Sequence, residues 1–280
     1  FLEGKVMRTV DTRSLYAIQP AEMSTSKGNQ PKWFDNEYWY KEDYMGYEAL
    51  AETVIAQLLQ KSNAKEIADI TIYELVYLAD TNEKKIGCCS TNFQQNGERF
   101  VSLERLHRTF CGKPLYLALR DFMTPEEKIR YTVDFVTDTT KLTNFGPYLA
   151  MLLQADAFFL NEDRHTNNIA VIHNDTTETY RLCPIFDNGL SLLADTSDYS
   201  LDTSVYANIQ RVPAKPFTDS FEDQAMAAES LYDTHLKFAF SRQDLRCIME
   251  IYRNIYSNTI IERVYDTICA QMRKYSYMFQ

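Results

Sequence analysis

Two stretches, NEDRHTNN (161–168) and FDNG (186–189), decide the fold of this chain. The first follows an almost continuously apolar run, YLAMLLQADAFFL (148–160), and this pattern predicts a buried helix. Next come two β-like segments, NIAVIHN (168–174) and TYRLCPIF (179–186), which the turn NDTTE joins into a hairpin. The second stretch begins where that hairpin ends. Acidic and amide side chains therefore flank one predicted hairpin at both ends.

This set of oxygen-bearing residues suits the transfer of a phosphoryl group from ATP. Such a transfer needs a carboxylate that accepts the proton of the acceptor hydroxyl, and oxygen ligands that hold Mg²⁺ on the phosphates. Mg²⁺ takes one or two protein carboxylates and completes its shell with phosphate and water. We therefore assign Asp163 as the catalytic base, and Asn168 with Asp187 as the metal ligands. Gly189 is expected to allow a sharp turn of the backbone after Asp187.

Residues of these types also have ordinary structural roles. Asp and Asn near a helix end are common caps and turn residues, and a lone histidine such as His165 is more often structural than a proton carrier. The ordered combination of D-R-H-x-x-N and F-D-x-G favours the catalytic interpretation. Arg164 is expected to pair with a carboxylate that braces the loop, and Asn167 is expected to be only a turn residue.

The order of predicted elements indicates an α+β, two-lobed, protein-kinase-like fold. We expect a β-rich N-lobe over residues 1–110, with one amphipathic helix at 47–59, and a helical C-lobe over residues 111–280. The N-lobe strands are predicted near residues 14–18, 37–41, 71–78 and 98–106. In the C-lobe, Thr124-Pro-Glu-Glu127 predicts a capping box, and Ser241 predicts a helix cap for residues 242–255.

Two features of the first half are candidates for nucleotide binding. Small hydroxyl residues surround Gly28 in STSKGNQPK (24–32), so that backbone N–H groups can approach phosphate oxygens closely, although the second glycine of a Walker A sequence is missing. Lys41 ends an aromatic, strand-like run, and a kinase lysine in such a place is oriented by a glutamate of the next helix. We favour Glu48 as that glutamate, with Glu52 as the alternative, and Lys32 competes with Lys41 for the lysine's role.

The composition excludes several classes of partner. The 280 residues carry a net charge of −10, without the clustered Lys and Arg that nucleic-acid or anionic-membrane surfaces require. We find no apolar run long enough to span a membrane and no signal-peptide core at the N-terminus. The six cysteines lack CxxC spacing and the four histidines are scattered, which argues against a zinc site. We therefore expect reduced thiols and a cytoplasmic location.

The chain resembles the kinase core of the HipA family, the toxin kinases of bacterial toxin–antitoxin modules. Four features carry this resemblance together: the loop STSKGNQPK, Lys41 before its helix, NEDRHTNN and FDNG. The resemblance spans roughly residues 14–280 and implies ATP with Mg²⁺ and phosphorylation of Ser or Thr on a protein substrate. It also implies autophosphorylation of the loop, at Ser24 or Ser26. The family often has two glycines in this loop, where the chain has one. The nucleotide-binding residues that it implies are Ser24, Thr25, Ser26, Lys27, Gly28, Asn29, Gln30, Lys41 and His165.

The resemblance leaves the partners of the chain open. Full-length HipA proteins have a further N-terminal subdomain, so that we expect a short member containing the kinase core, for which binding of a HipB-like antitoxin or another regulatory protein stays undecided. Segment 211–231 lies where kinases place substrate-contacting elements, but its sequence does not identify the substrate.

Three other functions are compatible with parts of the pattern. A phosphatidylinositol-type lipid kinase also uses a D-R-H-x-x-N loop, but the acidic charge and the Gly-Asn-Gln-Pro-Lys stretch count against it. A catalytically silent, ATP-binding pseudokinase is disfavoured because every catalytic position is filled. A metal-dependent nuclease built on Asp163 and Asp187 is disfavoured because no basic groove is visible for its substrate.

Overall fold

A six-stranded sheet forms the N-terminal part of the computed structural model, which describes residues 7–18, 30–81 and 83–279. Its strands are β1 (Thr9–Asp11), β2 (Tyr16–Ala17), β3 (Lys32–Phe34), β4 (Tyr38–Glu42), β5 (Glu74–Ala79) and β6 (Lys84–Thr91). They lie in the order β1-β5-β6-β4-β3-β2, and only the pair of β1 with β5 is parallel. The β-rich character expected from the sequence is confirmed. Strands β2, β4 and β5 overlap predicted segments with ends shifted by a few residues, whereas β1, β3 and β6 were not predicted.

Helix α1 (Glu48–Leu59) lies between this sheet and the helical half of the molecule. It contacts β4, β5 and β6, and every residue except Gln57 is buried. On its other side, the Tyr47 hydroxyl donates to the carbonyl of Leu192 at 2.8 Å, and Gln57 bonds to Tyr252. The predicted helix over 47–59 is confirmed. Burial on all sides explains why it carries apolar residues around most of its circumference.

A second sheet joins distant parts of the chain. It contains β7 (Glu98–Ser102), β8 (Ala170–Asn174) and β9 (Thr179–Leu182) in the antiparallel order β7-β8-β9. The predicted hairpin is confirmed as β8 and β9. The strand predicted over 98–106 is too long, because Ser102 caps helix α2 (Leu103–Cys111) by accepting the N–H of Arg105.

The remaining helices pack in the C-terminal half. They are α3 (Leu115–Ala118), α4 (Pro125–Thr140), α5 (Phe145–Phe159), α6 (Val205–Ile209), α7 (Phe221–Tyr232), α8 (Arg242–Glu250) and α9 (Asn258–Lys274). Helix α5 is buried along its length and contacts α4, α7 and α9, as its apolar sequence predicts. The capping box predicted at Thr124 and the helix cap predicted at Ser241 are confirmed, but α8 ends five residues before the predicted position at 255. Within the described ranges, no helix has the length and apolarity to cross a membrane.

Asp43 connects the sheet, helix α1 and the C-terminal half at one point. One carboxylate oxygen accepts the N–H of Ala49 in α1, and the other accepts the hydroxyl of Tyr256, both at 2.6 Å. The pKa of Asp43 is raised to about 7, chiefly because the group is buried. The nearby carboxylates of Glu48 and Glu42 act in the same direction, against the effect of these hydrogen bonds. The carboxyl group therefore holds a proton in the folded protein under mildly acidic conditions.

We expect Asp43 to make the free energy of unfolding depend on pH. The folded state keeps the Asp43 proton up to about pH 7, whereas the unfolded chain loses it near pH 4, at about the ordinary aspartate pKa. The free energy of unfolding should therefore fall as the pH rises through that window. In Asp43→Asn this part of the dependence should be missing, as measured by urea unfolding at a series of pH values.

The matched control is Asp202→Asn, because Asp202 is an exposed aspartate that takes no part in the contacts of Asp43. It should keep the pH dependence of the parent protein. An Asp43→Asn profile as steep as that of the parent would contradict the role of Asp43.

Candidate active site

Lys41 lies on β4 and points from the sheet toward α1. Because side chains alternate along a strand, Tyr40 packs in the small core on the opposite face. The Lys41 ammonium is 2.6 Å from Oε1 of Glu52 and 2.5 Å from Oδ1 of Asp187. Lys32 is directly opposite Lys41 in the register of β3 with β4. Lys41 makes the ion pairs, as favoured from the sequence, and Lys32 lies beside it.

Glu52, and not the favoured Glu48, is the glutamate that pairs with Lys41. Glu48 is the first residue of α1, and its side chain points toward the residues before the helix. Its carboxylate accepts the N–H groups of Met45 at 2.7 Å and Gly46 at 2.9 Å. Glu52 lies one turn later, is fully buried, and bonds through its second oxygen to the N–H of Asn188 at 2.8 Å. Both glutamates lie on the same helix face, so that only the path of the chain before α1 distinguishes them.

Asp187 is held in a tight turn after β9. Its own backbone is left-handed, with φ of 58°, and its N–H donates to the Tyr73 hydroxyl at 3.3 Å. Gly189, expected to permit the turn, has a different use: a Cβ there would lie 3.3 Å from Cβ of Glu48. The glycine thus allows the turn to approach α1 closely. Asp187, and not Gly189, adopts the left-handed backbone conformation.

The electrostatics of the site keep these groups charged. Burial alone would raise the pKa of Asp187, but the ammonium groups of Lys41 and Lys32 outweigh it and hold the pKa far below its usual range. Burial would likewise lower the pKa of Lys41, but Asp187 and Glu52 raise it well above its ordinary value. Lys41 and Asp187 are therefore an ammonium and a carboxylate at neutral pH.

Arg164 ties the loop over 161–168 to the turn that carries Asp187. The guanidinium is buried and pairs with Asp156 of α5 at 2.9 Å, which confirms the expected carboxylate partner. One of its nitrogens donates to the carbonyls of Phe186 at 2.8 Å and Asn168 at 3.2 Å, and another donates to Asn188 at 2.7 Å. The Arg164 guanidinium thus bridges the backbone of Asn168 and that of Phe186, the residue before Asp187.

The oxygen donors of Asn168 and Asp187 suit a hard cation such as Mg²⁺. The side-chain N–H₂ of Asn168 donates to the carbonyl of Asp163 at 3.1 Å, which leaves the amide oxygen as the atom able to serve as a ligand. Asp187 supplies an ionised carboxylate. One carboxylate and one amide oxygen are the kind of incomplete protein set that Mg²⁺ fills with phosphate and water, so that the residues fit this ion.

Asp163 lies in the same loop, with a basic residue near each oxygen. Oδ1 is 3.3 Å from the ammonium of Lys215, and Oδ2 is 3.8 Å from Nε2 of His165. Among the described residues, neither ring nitrogen of His165 has a hydrogen-bond partner. Burial lowers the pKa of this histidine, although Asp163 and Asp187 act in the opposite direction. Nothing in the sequence pointed to Lys215 beyond its place in segment 211–231.

The glycine-containing loop lies largely outside the described residues. This applies to Ser24, Thr25, Ser26, Lys27, Gly28 and Asn29. Gln30 is described, and its side chain donates to the carbonyl of Glu42 at 2.8 Å, where it fixes the start of β3 to the end of β4. Its assignment to the nucleotide stays a prediction.

A second group of carboxylates lies beside the loop, with ligand atoms within 4.8 Å of one another: Glu162, Asp195 and Asp198. Protein donors already serve two of them. Tyr199 donates to Glu162 at 2.8 Å, and the N–H groups of Ser197 and Asp198 donate to Asp195. These hydrogen bonds give Glu162 and Asp195 a structural role in stabilising this turn.

The chain is similar in structure to a kinase from Helicobacter pylori. It matches the crystal structure of the proinflammatory kinase CtkA with a TM-score of 0.62 and 18% sequence identity, over 96% of each chain. No protein-family model matches the sequence, and no curated protein does. The predicted α+β, kinase-like fold is therefore confirmed.

We expect exchange of the two glutamates to separate their roles. Glu52→Gln should reduce phosphotransfer about 10- to 100-fold, because a buried partner orients Lys41, while the protein stays folded. Glu48→Gln should instead lower the free energy of unfolding by about 1–3 kcal/mol, because a charged acceptor of several N–H groups is lost. ADP formation and urea unfolding measure the two effects, and the reverse pattern would restore the assignment of Glu48.

Proposed function

We propose that this chain is a Ser/Thr protein kinase that uses ATP and Mg²⁺ and resembles the HipA toxin kinases. The observation that carries the proposal is the convergence of β4, α1, the loop over 161–168 and the turn over 186–189 on Lys41 and Asp187. The structural likeness to a kinase supports the same conclusion at the level of the fold. Site geometry, rather than fold, carries the argument for chemistry.

The residues divide the reaction between them. Lys41, oriented by Glu52, binds phosphate oxygens of ATP. Asp163 accepts the proton of the acceptor hydroxyl as that oxygen forms its bond to the terminal phosphorus; the bond from this phosphorus to the bridging oxygen breaks, and ADP leaves with the electron pair. When bound, Mg²⁺ neutralises charge on the phosphates, and Asn168 and Asp187 would be its protein ligands.

The finer aspects of the proposal concern the partners. A protein with a Ser or Thr hydroxyl is the proposed acceptor, in a toxin-type role that an antitoxin or other regulatory protein controls, in the cytoplasm. Ser24 or Ser26 is the proposed site of autophosphorylation. A phosphate dianion on that loop would repel the phosphates of ATP, and so limit the activity.

Asp163→Asn should keep ATP binding and lose about 10²- to 10⁴-fold in turnover, because the amide cannot accept the acceptor's proton. The measurement is incorporation of labelled phosphate into a mixed protein extract, with lipid vesicles as a parallel acceptor. Asp121→Asn is the matched control, since Asp121 also pairs with a lysine, at 3.2 Å, but on the surface. Near-parent activity of Asp163→Asn would refute its role, and labelling of lipid alone would identify a lipid kinase.

Asp187→Ala should abolish phosphotransfer and weaken the Mg²⁺ dependence of ATP binding. The reason is the loss of the one carboxylate of the proposed metal set, while Lys41 keeps Glu52 as its partner. Binding of ATP titrated with and without Mg²⁺ measures this, together with circular dichroism to establish that the fold is retained. An unchanged Mg²⁺ effect in the variant would contradict the assignment.

A further inference from the structure

A basic and aromatic surface lies on α2, α3 and the turn that follows them, in a protein whose net charge is −10. Arg105, Arg108 and Arg120 are exposed, and none of them takes part in an ion pair among the residues that the structure describes. Phe110 and Tyr116 are 58% and 50% exposed. Because α2 packs against α3, these five residues share one exposed part of the molecule. We call them the α2–α3 surface.

The positive charge of the α2–α3 surface is not balanced by the residues around it. Lys113 pairs with Asp121 at 3.2 Å, so that these two neighbours add no net charge. The carboxylate nearest in sequence to the first arginine belongs to Glu104, which is buried and accepts hydrogen bonds inside the protein. The guanidinium of Arg120 lies 5.6 Å from the ring centroid of Tyr116, where it stays at the surface. The three arginines thus present positive charge on a protein of opposite net charge.

Glu104 fixes the α2–α3 surface to the loop that carries Asp163. Its carboxylate accepts the N–H groups of Leu115 and Tyr116 at the start of α3, both at 2.9 Å. It also accepts the hydroxyl of Thr166, which belongs to the same loop as Asp163. One buried carboxylate therefore joins α2, α3 and the loop. A polypeptide bound across the α2–α3 surface would be held at a fixed position relative to the proposed base.

We propose that the α2–α3 surface is a docking site for an acidic segment of the protein substrate, in which apolar side chains alternate with carboxylates. This inference rests on the proposed kinase function and names a class of substrate for it. A guanidinium binds a carboxylate through two parallel hydrogen bonds, and the exposed rings of Phe110 and Tyr116 offer contacts to apolar side chains. Because the protein as a whole is acidic, it repels such a segment elsewhere and directs it to this surface.

The first experiment measures docking without phosphotransfer, by fluorescence anisotropy. The probe is a fluorescein-labelled peptide of Glu, Asp, Leu and Phe, and its twin has Gln and Asn in place of the acids. The parent protein should bind the acidic peptide in preference to the twin, and added salt should weaken this binding. The double variant Arg105→Ala with Arg108→Ala should bind the acidic peptide about 5- to 10-fold more weakly, because two exposed charge pairs are lost.

The second experiment measures phosphorylation of dephosphorylated casein, an acidic protein. In the double variant, KM for casein should rise about 5- to 10-fold for the same reason, while Mg²⁺-dependent ATP binding stays as in the parent. The matched control is Arg242→Ala, because Arg242 is an exposed arginine at the start of α8, without an ion pair in the described part of the chain. It should behave as the parent in both experiments.

Parent-like peptide binding by the double variant, or an unchanged KM for casein, would overturn the inference. It would also be overturned if the arginines were needed for binding to phosphatidylserine vesicles or for formation of a dimer, and not for binding of the peptide. The surface would then belong to a lipid or to a second copy of the chain. If the parent and Arg242→Ala neither release ADP nor label casein, the proposed function itself is wrong. Labelling of casein with the same KM in all variants would instead refute only the docking site.

Discussion

The ammonium group of Lys41 is the point on which the site depends, because it connects three parts of the chain that are distant in sequence. Strand β4 supplies the lysine, α1 supplies Glu52, and the turn after β9 supplies Asp187. Glu52 and Asp187 offset the charge of Lys41, and Lys32 adds a further ammonium beside Asp187. Asp187 and Asn168 present the oxygen donors that a divalent cation would take.

Arg164 gives the second half of the site its rigidity. Its guanidinium is fully buried, and its charge is balanced by Asp156 inside helix α5. The remaining N–H groups donate to the backbone of the loop and of the Asp187 turn. A buried arginine is costly unless its donors are satisfied, so that these bonds favour one arrangement of loop and turn over others. The positions of Asp163 and Asp187 are thereby coupled through a single side chain.

The likeness to CtkA extends over nearly the whole of both chains at 18% identity. Such a likeness reflects the arrangement of strands and helices, which many sequences with the same apolar pattern can form. The case for phosphoryl transfer comes instead from individual contacts: the two ion pairs of Lys41, the bridge by Arg164 and the basic residues beside Asp163.

The sequence by itself determined the fold class, several of the elements and the types of residue at the site. Apolar periodicity, the capping box at Thr124 and the aromatic run before Lys41 are local signals, and the helix, the hairpin and the lysine they predict are present. Only the tertiary structure decided which groups meet. The choice of Glu52 over Glu48, the use of Gly189 and the approach of Lys215 depend on contacts between residues far apart in the chain. Local patterns carry no information about such contacts. Both glutamates of α1 lie on the same helix face, so that helical spacing alone does not distinguish them, and the residues around Lys215 contain no pattern that predicts its contact with Asp163.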